Sequence, residues 1–358
     1  MKIAYCATVQ PSFGGLKSFN VGLVHSLLQL CKARKIELVV ITHQSHRGSF
    51  DVPDQQILTF TGNHFLFESL HLPGLLKSEQ VDVAVFPHNR MPLFSIGANR
   101  SLLVIHDLLF WRFPSELSFL KRATRYFFMS QALKKADMVV SVSEFTRKEL
   151  QEFGCQKSIG VCLEGVDAIQ ESSGLEKVRF PADKPYFLFI GAHSFQKNLP
   201  ALVAAFDSVK NAGLDCRLIL AGGKGTATQS VLDAVNGSAF SSDIILPGFV
   251  TDEEKDWLMK NAIAFVFPSI YEGFGIPILE AFQRNVPVIT SDRASLPEVA
   301  GDAALISKPD PESLAAAMLK LAGNQPLRED LVRKGAARLQ LFQWDLVAEN
   351  ILNSIRPK

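Results

Sequence analysis

Short apolar runs alternate with amphipathic helical stretches almost from end to end of the chain, and near residue 186 the alternation begins again. Residues 2–9, 37–42, 81–87, 101–106 and 138–143 read as strands of the first half. Residues 186–190, 217–221, 244–246, 263–268 and 286–290 read as strands of the second. Between the first two strands, Leu16, Phe19, Leu23, Leu27 and Leu30 keep the 3-to-4 spacing of a helix face. After residue 190, Leu199, Leu202, Val203, Phe206 and Val209 do the same. Strands that alternate with helices argue for parallel, doubly wound sheets, and the mid-chain restart argues for two of them. The expected junction is the polar stretch 170–184, bounded by Pro181 and Pro185.

Local punctuation supports the same reading. Ser143 is placed to cap the helix that follows it, with Gly154 as its stop. Thr251 with Glu254 forms a capping box, and Asp310-Pro311 opens a further helix. With 358 residues the chain can bury a sizeable core without staples. Its five scattered cysteines, with no C-x-x-C pair, read as reduced core thiols. Lys+Arg of 37 against Asp+Glu of 36 leaves none of the basic excess of a phosphate-tracking nucleic-acid binder. No apolar run is long enough to span a bilayer and the opening residues lack a signal-peptide core, so the expected compartment is the cytoplasm.

The densest chemical signal is Phe267-Pro-Ser-Ile-Tyr-Glu272-Gly-Phe-Gly-Ile-Pro-Ile-Leu-Glu280-Ala. Here a strand runs through a glycine-containing turn into a helix. Glycines let the backbone approach a ligand closely, and free N–H groups at a helix start suit phosphate. A carboxylate beside a phosphate is tolerable when it accepts hydrogen bonds from sugar hydroxyls instead. Dinucleotide and Walker fingerprints are absent: the first loop reads Ser12-Phe-Gly-Gly-Leu-Lys17, and Gly223-Lys224 is followed by Gly225.

The run from Glu272 to Glu280 resembles the E-x7-E signature of the retaining glycosyltransferases of family 4. Other segments are similar to that family in its order: Gly14-Gly15, His106-Asp107, Val142-Ser-Glu-Phe-Thr-Arg147, Gly165-Val-Asp167, Lys197-Asn198, Pro247-Gly-Phe-Val250, Pro287-Val-Ile-Thr290, Leu296-Pro-Glu-Val299 and Phe342-Gln-Trp344. The resemblance implies an α/β GT-B fold, two facing Rossmann-like domains with a cleft between them. The first would span residues 1–175 plus a crossing helix at 343–358, with Leu346, Ile351 and Ile355 as its apolar stripe. The second would span 176–342 and bind the nucleotide sugar. The implied chemistry is transfer of a hexose from a nucleotide-diphosphate sugar to a glycan or lipid-linked acceptor in polysaccharide biosynthesis, without metal or separate cofactor. Bacterial O-antigen and capsule mannosyltransferases are the most similar members, so GDP-mannose is favoured over a UDP-hexose as donor. A non-catalytic nucleotide-sugar-binding scaffold is the alternative.

By the same resemblance Glu280 holds the donor ribose and Glu272 the hexose hydroxyls. Lys197 neutralises the leaving diphosphate, and His106 contacts the hexose near the reacting carbon. Gly14, Gly15, Gly222, Val250, Gly273, Phe274, Gly275 and Ile276 complete the donor-binding set. Two departures stand out. Ala192 and Gln196 occupy positions where many members carry Arg, so either Lys224 supplements Lys197 or diphosphate binding is weak. Glu164 replaces the Asn of the linker motif, a change expected to touch the hinge more than the chemistry. Finally, the stretch from Ser115 to Lys135 carries five basic residues against Glu116 alone, among Phe119, Tyr126, Phe127 and Phe128. It reads either as a helix for an anionic membrane surface or as one whose aromatics fill the core.

Overall fold

The structure, a computed structural model, describes residues 1–9, 15–167, 179–180 and 183–355; Gly14 and most of the expected junction lie outside the described residues. The chain divides into two units, Met1–Asp167 with Phe342–Lys358, and Ala168–Leu341.

Among the described residues the first unit holds seven strands: β1 (Lys2–Ala7), β2 (Glu37–His43), β3 (Ile57–Phe60), β4 (Val83–Phe86), β5 (Arg100–Ile105), β6 (Met138–Ser141) and β7 (Ile159–Val161). They form one parallel sheet in the order β3-β2-β1-β4-β5-β6-β7. The second unit repeats the plan with β8 (Tyr186–Ile190), β9 (Arg217–Ala221), β10 (Ile244–Gly248), β11 (Ala264–Phe267), β12 (Val288–Ser291) and β13 (Leu305–Ser307). Its order is β10-β9-β8-β11-β12-β13, again parallel. The central strands are buried on both faces, which is why they read as continuous apolar runs.

Three strands were not expected from the sequence: β3, β7 and β13. Each is only three or four residues long and lies at an outer edge of its sheet. An edge strand is not buried on both faces, so it lacks the apolar run that betrays its neighbours.

The helix caps form as the sequence predicts. Ser143 Oγ accepts from Thr146 N at 3.0 Å, Thr251 and Glu254 make a reciprocal capping box, and Asp310 accepts from Ser313 N at 2.8 Å. Such caps contribute about 1 kcal/mol each. In the helix Gly15–Ala33 the buried face holds Phe19, Leu23 and Leu27, whereas Leu16 is exposed and Leu30 half-buried. The expected face therefore holds at its centre and frays at its ends.

The last helix, Trp344–Ser354, packs along Gly15–Ala33. Its buried stripe is Val347, Ala348, Ile351 and Leu352, with Ile355 just beyond. Leu346, expected in that stripe, is 46% exposed, so the helix is rotated relative to the expectation. Trp344 enters a slot made by two glycines: a Cβ on Gly22 would meet its ring at 2.1 Å and one on Gly165 at 2.5 Å. Its Nε1 donates to Asp167 Oδ1 at 2.7 Å, and Phe19 packs against it edge-on.

The stretch 115–135 is not one helix. A single turn at Pro114–Glu116 precedes a helix that starts only at Phe119, because Ser118 is extended. Met129, Ala132 and Leu133 are buried, whereas Phe119, Leu120, Tyr126 and Phe127 are exposed, so these side chains do not fill the core. Among the described residues no helix is long and apolar enough to cross a membrane.

Candidate functional site

In the second unit the order of the sheet reverses between β8 and β11, and open parallel sheets bind ligands at the carboxyl ends of strands flanking such a reversal. Both of these strand ends carry residues singled out from the sequence. After β8 comes one tight turn, Phe195–Lys197, closed by Asn198 in the left-handed conformation (φ 58°). Asn198 Nδ2 donates to Pro309 O at 2.7 Å, and Ile270 N donates to Gln196 O at 2.8 Å. The turn is thereby tied to the segment that follows β11.

That segment leads through Glu272 and Gly273 to the helix Ile276–Gln283. Gly275, its N-cap, has φ 130°, a conformation that side chains rarely adopt. Ser295 Oγ lies 3.0 Å from Glu272 O and 2.6 Å from Phe274 O, which pins the turn from below. Tyr271, Phe274 and Ile276 are buried anchors, so Phe274 and Ile276 can offer a ligand only their backbone.

Across the strand pair, Lys197 Nζ donates to Glu272 Oε1 at 2.6 Å and lies 4.7 Å from the centre of the Phe267 ring. Both charged side chains are about 15% exposed, Lys197 at 15% and Glu272 at 16%, which leaves a fixed ammonium–carboxylate pair accessible at the strand ends. One turn into the next helix, Glu280 Oε1 accepts from Lys255 Nζ at 2.9 Å. Lys255 belongs to the helix Asp252–Lys260, opened by Thr251 next to the buried Val250. Arg284 ties the two helices together through Asp256, at 3.0 Å, and through Glu280 O, also at 3.0 Å. Burial works to raise the Asp256 carboxyl, but Lys260 and Arg284 hold it below its ordinary value. Gly222, after β9, donates its N–H to Gly248 O at 2.8 Å; Lys224 beside it is exposed.

In the first unit, taken by itself, Gly15 stands at the start of the first helix and His106 directly after β5. His106 is buried, with both ring nitrogens engaged: Nδ1 lies 2.8 Å from Glu164 Oε1 and Nε2 lies 2.8 Å from Pro87 O. Burial alone would lower its pKa, yet the Glu164 hydrogen bond and charge, with the Pro87 carbonyl and the Asp107 charge, raise it above the ordinary value. The neighbouring His88 is pushed well below its ordinary value by burial and by the charges of His106 and Arg90.

The structure thus brings Lys197 to Glu272 and leaves Glu280 on a lysine that the sequence did not single out. Three residues were missed. Lys255 stands 25 positions from Glu280 and Ser295 stands 23 from Glu272, separations that no local period marks. Glu164 was visible as a departure from the linker motif but was assigned to the hinge; its carboxylate is 5% exposed and lies on His106.

Comparison with known proteins points the same way. The profile described as Glycosyl transferases group 1 matches residues 173–338, and Glycosyltransferase Family 4 matches residues 22–169. O-antigen chain mannosyltransferase B of Escherichia coli is 30% identical over 270 residues, covering 72% of this chain and 70% of that protein. O-antigen chain mannosyltransferase RfbU of Salmonella typhimurium is 28% identical, covering 68% and 65%. Sucrose-phosphate synthase from Thermosynechococcus elongatus superposes with a TM-score of 0.69 at 19% identity, covering 98% and 97% of the two chains.

Proposed function

The chain belongs to the family 4, group 1 glycosyltransferases with the GT-B fold, and from that premise we propose that it moves a hexose, mannose in the first instance, from a nucleotide-diphosphate sugar to a glycan or lipid-linked acceptor in polysaccharide assembly. The observation that carries this reading is the Lys197–Glu272 pair at the β8/β11 reversal, with the Lys255–Glu280 pair on the helix that follows. Each pair is a cation and a carboxylate able to accept from hydroxyls, held together and partly exposed. A bound diphosphate competes with Glu272 for the Lys197 ammonium. The freed carboxylate then accepts hydrogen bonds from the hexose, and Glu280 accepts them from the ribose.

As the glycosidic bond to the diphosphate breaks, negative charge accumulates on the leaving oxygen, and a fixed cation there stabilises the transition state more than the ground state. In this reading Lys197 supplies that charge without a metal ion. In this reading Glu272 is taken up by the hexose hydroxyls and Glu280 by the ribose, so the two do not act as a glycosidase carboxylate pair. Attack by the acceptor on the face from which the diphosphate departs then gives retention.

The test is a thermal-shift screen of GDP, UDP, ADP and their sugars, with donor turnover measured on the same protein. GDP and GDP-mannose are expected to stabilise the wild type most. Glu280→Ala is expected to weaken nucleotide affinity about tenfold or more, the scale of a lost hydrogen bond to a charged group, while kcat at saturation changes little. Equal affinity in both proteins removes Glu280 from the ribose. Binding without any turnover turns the chain into a nucleotide-sugar-binding scaffold.

A lipid-linked acceptor would bring the first unit to the inner face of the membrane, from the cytoplasm. Support comes from Phe119, Leu120, Tyr126 and Phe127, exposed beside the likewise exposed Lys121, Arg122 and Arg125, with Phe65 packed against Phe128. Basic groups near an anionic surface gain roughly 1 kcal/mol each. Flotation with anionic liposomes is expected, and is expected to be lost in high salt and in Lys121→Glu/Arg122→Glu/Arg125→Glu. A wild type that never floats assigns the acceptor to the soluble phase.

A further inference from the structure

His106 offers no open ring nitrogen. A carbonyl oxygen can only accept, so the contact with Pro87 O requires a hydrogen on Nε2. The Nδ1–Glu164 contact then requires another proton between nitrogen and carboxylate, since two facing lone pairs repel. The pair therefore holds one proton more than a neutral imidazole and a carboxylate would. The surrounding backbone is tied in both directions. His106 N donates to Asn89 Oδ1 at 2.7 Å, Asn89 Nδ2 donates to Asp107 O at 3.1 Å, and Asn89 itself is left-handed (φ 46°). Phe19 packs edge-on at 4.7 Å from His106 on one side and at 5.7 Å from Trp344 on the other.

We propose that Glu164 is a positioning residue: the proton it shares with His106 turns that ring into a clamp on the Pro87 carbonyl, fixing the turn after β4 and the strand end bearing Asp107 in the one arrangement that supports transfer. Only the turnover measurement below rests on the transferase reading. The charged or titratable groups that act on the pair are Asp107 on its own strand end, His88 in the turn after β4, itself beside Arg90, and Cys162 after β7, whose thiol is pushed up to about 12 by burial. Thr146, whose Oγ1 donates to His106 O at 3.3 Å, and Phe19 bring no charge.

The sign of the pH effect follows. A group whose pKa is raised by folding stabilises fully below its unfolded value, about 6.5, and loses that contribution as pH rises through the folded value. Above that point the wild-type clamp opens, because one of its two contacts becomes lone pair against lone pair. Glu164→Gln should remain closed there: its amide donates to Nδ1 with no shared proton, while Nε2–H still serves Pro87. Glu164→Ala has no clamp at any pH.

The experiment uses the full chain, with ¹⁵N-histidine NMR, melting temperature against pH, and turnover of GDP-mannose and UDP-glucose as probes. At about pH 6, below the ordinary histidine value of about 6.5, the wild-type His106 should show two protonated ring nitrogens, whereas Glu164→Ala shows one. Wild-type melting temperature should fall relative to that of Glu164→Gln as pH rises above the ordinary histidine value of about 6.5, through the raised value of His106. Glu164→Ala should lose about tenfold in kcat with donor KM little changed, the scale of a misplaced reacting geometry. Glu164→Gln should restore activity and abolish the alkaline limb. A singly protonated wild-type ring at about pH 6, an alkaline limb shared by Glu164→Gln, or full activity in Glu164→Ala overturns the proposal. If the wild type turns over neither sugar nucleotide, the transferase reading fails, and the ring protonation and pH-dependent melts alone decide the clamp.

Discussion

Lys197→Ala is expected to lower kcat by a factor of about 10²–10³, corresponding to roughly 3–4 kcal/mol of lost transition-state stabilisation. The side chain is mostly buried and held from three directions: by Glu272 at 2.6 Å, by the Phe267 ring at 4.7 Å, and by a turn that Asn198 anchors to Pro309 O. Such an ammonium needs little reorganisation when charge develops on a leaving diphosphate, which is where preorganised electrostatics act most strongly. Truncation also strands the Glu272 carboxylate, so a melt must accompany the kinetics. Combining Lys197→Ala with Glu272→Gln separates the two effects as a double-mutant cycle. Activity within about threefold of wild type would show that a different cation carries the diphosphate, with the exposed Lys224 the first to examine.

Trp344→Ala is expected to be the most destabilising single substitution proposed here. The indole is 8% exposed, fills the Gly22–Gly165 slot, packs on Phe19 and donates to Asp167. Removing a buried Trp costs about 3–5 kcal/mol, since the cavity left behind collapses only in part. For a unit of this size that corresponds to a fall on the order of 10 °C in melting temperature, read by calorimetry. Gly22→Ala should act in the same direction, because its Cβ would stand 2.1 Å from Trp344 Nε1 and the ring must leave the slot. A fall of less than about 2 °C in Trp344→Ala would show that the last helix is held by its Val347–Leu352 stripe alone.

The pairs tested by these substitutions show where legibility stops. Glu272, Glu280 and Lys197 were visible because a strand, a glycine-containing turn and a helix start leave marks within a dozen residues of sequence. Other contacts of the site residues were not. Lys255, Ser295 and Glu164 meet Glu280, Glu272 and His106 across separations of 25, 23 and 58 positions. Nothing periodic links such positions, so only the packing of one element on another places them together. Glu164 is the instructive case: the substitution was seen in the linker motif, but its consequence depended on where β5 ends.

What the sequence by itself determined is what local physics can write: the β/α alternation, its restart at residue 186, the doubly buried central strands, and the caps at Ser143, Thr251 and Asp310. Two-sided burial demands a continuous apolar run, and an orphaned helix end demands a short polar side chain, so both are readable in a window of residues. Only the tertiary structure decided the edge strands β3, β7 and β13, the glycine slot that seats Trp344, and the His106–Glu164 clamp. An edge strand is defined by the neighbour it borrows, a slot by two glycines 143 positions apart in the chain, and a shared proton by the burial around it. Each of these is a property of pairs of residues brought together by the fold.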